Sequence, residues 1–114
     1  ERRTRVGTVH VGYYDGFPRG LTQKGKVRVG DEIKPVLGTV SVNHFLVDLT
    51  GTDVQIGDIV EPISRTGEND ALSVANTAGI MTYSLGNALN MLTPRVYTMK
   101  GVPVAVTRPK LVAE

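Results

Sequence analysis

The sequence has 114 residues, and its 13 basic and 11 acidic side chains give a formal net charge of +2 at pH 7. This length lies in the usual size range of one domain, so we expect a single domain over residues 1–114 with a modest core. The near balance of dispersed charges is weak support for a nucleic-acid partner, and the absence of cysteine excludes disulfides and thiolate metal sites.

The first residues show no targeting signal. Glu1-Arg2-Arg3 opens the chain without the apolar run of a signal peptide, and no later stretch is long and apolar enough to cross a bilayer. The absence of cysteine is compatible with the cytosol. We therefore expect a soluble, cytoplasmic piece of a longer protein that has no membrane partner.

Short runs rich in valine and isoleucine alternate with glycine and proline along the chain. The 13 glycines and 6 prolines punctuate these runs, which is the pattern of strands joined by tight turns. The predicted strands are residues 5–11, 26–29, 33–37, 40–49, 58–63, 95–99 and 102–107. Because so many short strands would otherwise leave edges exposed, the sequence predicts an all-β fold, mainly an antiparallel, Greek-key-like β-barrel, closed or nearly closed.

The longest predicted strand, residues 40–49, carries apolar groups on both faces. Side chains alternate along a strand, so Val42 and Leu46 share one face while Phe45 and Val47 share the other. A strand that is apolar on both sides is expected at the centre of a sheet.

The fold is expected to include one or two short helices. The first covers residues 71–78, where Asn69 or Asp70 can accept hydrogen bonds from the free amides of the first turn. The second covers residues 84–90, although its internal glycine disfavours a helix by about 1 kcal/mol relative to alanine.

Taken alone, the residues do not form a self-contained enzyme. The chain has no glycine-rich phosphate loop and no spaced set of carboxylates or histidines that would bind a metal. His10 and His44 lie in predicted strands with no carboxylate near them in sequence, so both are interpreted as structural. We predict no catalytic residue and no metal ligand in this chain.

The segment at residues 11–20 reads Val-Gly-Tyr-Tyr-Asp-Gly-Phe-Pro-Arg-Gly. From its residues alone it is either a strand that ends in a turn with exposed aromatic side chains or a functional loop. It resembles the Gly-Tyr-Ala-Asp-Gly-Tyr-Pro-Arg segment of alanine racemases. Further blocks resemble that family in the same order, at residues 35–44, 54–60, 78–83 and 93–97.

The resemblance implies the C-terminal domain of an enzyme that interconverts L- and D-alanine with pyridoxal 5'-phosphate. In that family an N-terminal α/β barrel carries the lysine that holds the cofactor, and two subunits form a head-to-tail homodimer. The implied partners are therefore the protein's own barrel domain, a second subunit and a small amino acid. The family's lysine and catalytic tyrosine match no position here, so the isolated chain should be inactive.

The resemblance also assigns roles to five residues. Tyr83 matches the tyrosine that bonds the cofactor phosphate, a role that suits a neutral donor facing an anion; otherwise it would be a half-buried tyrosine between two helices. Tyr13 matches a tyrosine of the substrate entrance. Val42 and Asn43 occupy a Met-Asp position that reaches the neighbouring subunit's substrate carboxylate, partly through a backbone amide. Thr39 stands where the family usually has arginine.

The block around Val42 departs from the family pattern. Thr39 replaces arginine, Val42 methionine and Asn43 aspartate, which removes one positive and one negative charge and any ion pair between them. A racemase of another amino acid, or a lyase or decarboxylase with the same two domains, therefore stays open. A non-enzymatic barrel that binds RNA is the less favoured alternative, since 4 Tyr, 2 Phe and dispersed charges make a poor stacking surface.

Overall fold

The computed structural model describes residues 3–108, which form seven strands and two α-helices. The strands are β1 (Val6–Val9), β2 (Lys26–Val29), β3 (Glu32–Leu37), β4 (Phe45–Asp48), β5 (Val60–Glu61), β6 (Arg95–Met99) and β7 (Val102–Thr107). The helices are α1 (Ala71–Ala78) and α2 (Thr82–Ala88). Among the described residues, no helix is long and apolar enough to span a membrane.

Five strands form one antiparallel sheet in the order β1-β4-β3-β2-β5. Strands β2, β3 and β4 follow one another in the chain, and β1 lies beside β4, which is the strand order of a Greek key. The sheet curls into half a barrel. The mainly β, Greek-key-like prediction is therefore confirmed, and within residues 3–108 the edge strands β1 and β5 do not pair to close the barrel.

Two phenylalanines stack at the centre of the half-barrel. The rings of Phe17 and Phe45 lie 4.6 Å apart between centroids with an interplanar angle of 15°. The rest of the core cluster is aliphatic and comes from the sheet, both helices and the loops, namely Val9, Leu21, Val27, Val29, Val36, Val40, Val47, Leu49, Val74 and Leu85. Burial of Phe17 fixes the end of the turn that follows β1.

The predicted strand at residues 40–49 was too long at its start. Its first five residues form a turn in which the Ser41 amide donates to the His44 carbonyl at 2.9 Å, so β4 begins at Phe45. The turn interrupts a pattern that would otherwise continue the alternation of a strand. The central position is confirmed, because β4 lies between β1 and β3.

The predicted first and fifth strands were also too long. Strand β1 ends at Val9, and the chain turns at Gly12, whose amide donates to the Asp15 carboxylate at 2.9 Å. Strand β5 has only two residues, and Pro62 follows it with no amide to donate to a neighbouring strand.

Helix α1 has the bounds that its sequence predicts. The Asp70 carboxylate accepts from the Ser73 amide at 2.9 Å and caps the first turn. Gly79 ends the helix in the left-handed region at φ 74°. The other cap candidate, Asn69, is buried and donates instead to the Glu61 carbonyl at 2.9 Å.

Helix α2 lies two residues earlier than predicted. It begins at Thr82 and ends at Ala88, after which Leu89 takes an extended conformation. Leu85 is buried in the core and holds the helix against the sheet. The end shifts because Asn90, predicted as helical, bonds the turn after β1 instead.

Strands β6 and β7 form a separate hairpin. Their bounds agree with the predicted ones, and Lys100 and Gly101 make the connecting turn at φ 51° and 79°. Two successive residues with positive φ are typical of a tight hairpin turn. Every residue of both strands is exposed, so the hairpin packs on no other part of residues 3–108 closely enough to be buried.

Candidate functional site

The turn after β1 contains the first predicted site residue. We refer to residues 12–16 as the tyrosine turn, because they present Tyr13 and Tyr14 at the surface, each about half exposed. The Asp15 carboxylate accepts from the Gly12 amide, and the Asp15 amide donates back to the Gly12 carbonyl at 3.0 Å. These reciprocal bonds fix the turn and leave both aromatic side chains open to a ligand.

The tyrosine turn lies beside the short turn that precedes β4. The Tyr13 amide donates to the Ser41 carbonyl at 3.0 Å, and the Tyr14 amide donates to the Val42 carbonyl at 2.9 Å. Val42 and Asn43 are both exposed there. The structure thus brings the predicted entrance tyrosine next to the two residues predicted to face the substrate, although they are almost thirty residues apart in sequence.

The polar groups of the turn before β4 are backbone amides and the side chains of Ser41, Asn43 and His44. The Asn43 side-chain oxygen lies 3.0 Å from the His44 ring nitrogen Nδ1. Within residues 3–108, no other side chain lies within hydrogen-bonding distance of the Asn43 side chain. No carboxylate stands at position 43, where the family has aspartate. This turn can therefore offer a substrate an amide, rather than a carboxylate, at Asn43 and the apolar surface of Val42.

Thr39 is not joined to this group. It is exposed, and the next residue, Val40, donates its amide to the Thr22 hydroxyl at 3.1 Å and turns its side chain into the core. Within residues 3–108 no hydrogen bond connects Thr39 to Tyr13 or Asn43. Its place in the entrance stays a prediction.

Tyr83 lies in the first turn of α2 and is 79% exposed. The alternative that it is a half-buried tyrosine between two helices is therefore wrong. Leu85 holds α2 on the core while Tyr83 points to solvent, so its hydroxyl is accessible to an anionic group from outside this chain.

Asn90 connects the end of α2 to the tyrosine turn. Its side-chain Nδ2 donates to the Tyr14 carbonyl at 2.9 Å, and its backbone amide donates to the Asp15 carbonyl at 3.1 Å. No local sequence pattern indicates these bonds of Asn90, since Tyr14 lies 76 residues away. The described residues also contain no group of three potential metal ligands.

Comparison with known proteins identifies the family. Residues 1–97 match the family described as alanine racemase, C-terminal domain. This chain belongs to that family. The alanine racemase of Deinococcus radiodurans is 45% identical over 78 residues, which are 68% of this chain and 21% of that protein.

Solved structures agree with the sequence match. Alanine racemase from Bacillus anthracis with bound L-Ala-P superposes with a TM-score of 0.82 at 29% identity, over 92% of this chain and 27% of that one. Alanine racemase from Bartonella henselae with covalently bound pyridoxal phosphate gives a TM-score of 0.70 at 29% identity, over 76% of this chain and 25% of that one. The chain therefore spans about a quarter of the length of these relatives.

Proposed function

We propose that this chain is part of an enzyme that interconverts L- and D-alanine and uses pyridoxal phosphate. The observation that carries the proposal is the pairing of Tyr13 and Tyr14 with Ser41 and Val42, which joins two motifs of the family into one surface. The names of the relatives support the reaction, and the covalently bound pyridoxal phosphate of the Bartonella henselae structure supports the cofactor.

Tyr83 is the residue of this chain that fits the cofactor. A phenol donates one hydrogen bond and stays neutral, so it can bind a phosphate oxygen without changing the charge balance around the anion. Its 79% exposure leaves the hydroxyl accessible from outside the chain. When bound, pyridoxal phosphate withdraws electrons from the substrate's α-carbon.

Tyr13, Val42 and Asn43 form the proposed substrate side. Val42 offers an apolar surface to the substrate. Asn43 offers an amide that can donate and accept. Because backbone hydrogen bonds fix both turns, the backbone positions that carry these side chains are set before a substrate arrives. Thr39 is proposed to line the same entrance.

We propose that a barrel domain and a second subunit of a head-to-tail homodimer complete the site. No residue of this chain matches the family's cofactor lysine, and most of the length of each relative lies outside the matched part. The hairpin β6–β7 exposes valines, Tyr97 and Met99 together. Since apolar patches of this kind mark contact surfaces, we assign the hairpin to the contact with the rest of the cytoplasmic enzyme.

The test of the main proposal is a racemase assay on the complete protein. With L-alanine and pyridoxal phosphate it should form D-alanine, whereas the isolated chain should give no turnover. Failure of the cofactor-loaded complete protein to racemise alanine would contradict the proposal, and racemisation of a different amino acid would favour the second candidate function below. Salt-dependent retention of such an inactive protein on RNA would favour the alternative of a non-enzymatic barrel that binds RNA.

A second candidate function is racemisation of another amino acid. It is favoured by three departures from the family pattern in the proposed entrance. Thr39 stands in place of arginine, Val42 in place of methionine and Asn43 in place of aspartate. Valine is stiff at its first side-chain torsion where methionine adapts, and threonine lacks the cationic fork of arginine. Lyase and decarboxylase activities, which enzymes with the same two domains could have, are assayed with the same amino acids.

The entrance residues are tested by reverting all three together. We expect the triple variant Thr39→Arg, Val42→Met, Asn43→Asp to raise kcat/KM for alanine by about tenfold relative to larger amino acids, a change on the order of one charge-assisted contact. A panel of L-amino acids is assayed on both enzymes. If alanine is the best substrate of both with similar kcat/KM, this block does not set specificity.

A further inference from the structure

Gly12 is required by space rather than by its backbone angles. Its φ of −143° is extended and open to any residue. A Cβ atom at this position would lie 2.3 Å from the Ser41 carbonyl oxygen and 2.5 Å from the Asn43 amide nitrogen. Real Cβ atoms do not approach backbone atoms so closely, so any side chain at Gly12 must push away the turn before β4, residues 40–44, which we call the substrate segment.

Gly16 makes the same kind of contact on the other side of the tyrosine turn. A Cβ there would lie 2.6 Å from the Ala88 carbonyl oxygen and 2.8 Å from the Leu89 Cα, and its φ of 109° also favours glycine. The two glycines thus place the tyrosine turn against the substrate segment and against the end of the helix that carries Tyr83.

Hydrogen bonds reinforce both contacts. On the substrate side, Tyr13 and Tyr14 donate their amides to Ser41 and Val42. On the helix side, Asn90 donates from its side chain to Tyr14 and from its backbone to Asp15. The backbone of Tyr14 is therefore bonded on both sides, because its N–H donates to Val42 and its carbonyl accepts from Asn90.

We propose that the tyrosine turn is a rigid connector that sets the distance between the phosphate donor Tyr83 and the substrate segment, with Gly12 and Asn90 as positioning residues. The identity of the two ligands rests on the proposed function. The connection rests only on the contacts described above. Binding and catalysis are sensitive to displacements of a binding group on the order of 1 Å, so a connector that positions both groups affects the ligand of each.

Asn90→Asp in the complete, cofactor-loaded enzyme is the first test. This change keeps an oxygen that can accept from the Leu92 amide, as it does now at 2.7 Å, and replaces the donor to Tyr14 by a second oxygen. We expect both the Kd for pyridoxal phosphate and the KM for alanine to rise by roughly 3- to 10-fold, the effect of one hydrogen bond. Asn76→Asp is the control, because Asn76 is exposed on α1 and makes the same change of charge.

Amide hydrogen exchange gives a readout that a local structural effect would not move. In Asn90→Asp we expect faster exchange in the peptides that cover residues 12–16 and 40–44, and no such change in Asn76→Asp. Exchange confined to residues 88–92, with an unchanged KM, overturns the connector. Gly12→Ala should raise KM more than it weakens cofactor binding; the reverse order also counts against the proposal.

The two proposals fail in different ways. If the complete protein does not racemise alanine, KM for alanine cannot be measured in any variant, while the exchange of residues 40–44 in Asn90→Asp still reports the connection. If the protein is a racemase and that exchange equals the wild-type value, the connector is wrong and the proposed function stands.

Discussion

Strands β2 and β6 begin alike and have opposite environments. Both are short, start with a basic residue followed by valine, and have the bounds that the sequence predicts. Yet Val27 of β2 is 0% exposed at the centre of the half-barrel, whereas Val96 of β6 is 57% exposed in the hairpin. The local pattern therefore specifies a strand without specifying what covers it, and in the hairpin we assign that cover to the rest of the enzyme.

The largest expected difference between the two regions is in the free energy of unfolding. Phe45→Ala removes one ring of the stacked pair at the core and should destabilise the isolated chain by about 3–5 kcal/mol. Val104→Ala, at an exposed hairpin position, should change it by less than about 0.5 kcal/mol. Urea unfolding of both variants measures the contrast, and equal losses would mean that the hairpin contributes to the core.

How far the sequence predicts the structure depends on whether the signals are local. The capping of α1 by Asp70 and the tight turn of β6–β7 use neighbours in sequence, and both elements have their predicted bounds. The turn before β4 was missed because Tyr13 and Tyr14, far away in the chain, bond its carbonyls. Asn90 was missed for the same reason.

The candidate site follows the same rule. The motif around Tyr13 and the exposed Tyr83 are recognisable from the sequence, since each lies in a short block that resembles the family. Their connection through Gly12, Gly16 and Asn90 is a property of packing between distant backbones. A glycine in an extended conformation gives no sequence signal that it is there for space.

A smaller difference is expected for cofactor binding in the complete enzyme. Tyr83→Phe removes the proposed donor to the phosphate and should weaken retention of pyridoxal phosphate by about 1.5–3 kcal/mol, the range for a hydrogen bond to a charged group. Tyr97→Phe makes the same change in the hairpin and should leave retention unaltered. Titration of both with the cofactor decides: if Tyr83→Phe binds as tightly as Tyr97→Phe, Tyr83 is not a phosphate ligand.

A subtler substitution tests whether the hairpin is covered in the complete enzyme. Val104→Thr keeps the branched shape and exchanges one methyl for a hydroxyl, so the isolated chain, in which Val104 is 60% exposed, should be almost unaffected. In the complete enzyme a covered hydroxyl should destabilise by about 1–2 kcal/mol. Thermal unfolding of both forms measures this, and equal effects in the two would leave the hairpin uncovered.

The smallest expected effect is a dependence on pH that belongs to the half-barrel region alone. Hydrogen bonds from Ser73, the backbone one first, hold the pKa of Asp70 below its ordinary value of 3.8. Because the folded pKa is the lower one, the ionised cap stabilises α1 above pH 3.8, and this contribution is lost as the pH falls through the folded pKa.

Asn is also a good cap but does not ionise, so Asp70→Asn should be the more acid-resistant protein while unfolding similarly at neutral pH. Denaturant midpoints between about pH 7 and about pH 3 measure the difference, with Asp31→Asn in the β2–β3 turn as a control carboxylate that caps no helix. If the curves of wild type and Asp70→Asn run parallel through the acid range, the Asp70 carboxylate does not stabilise the start of α1.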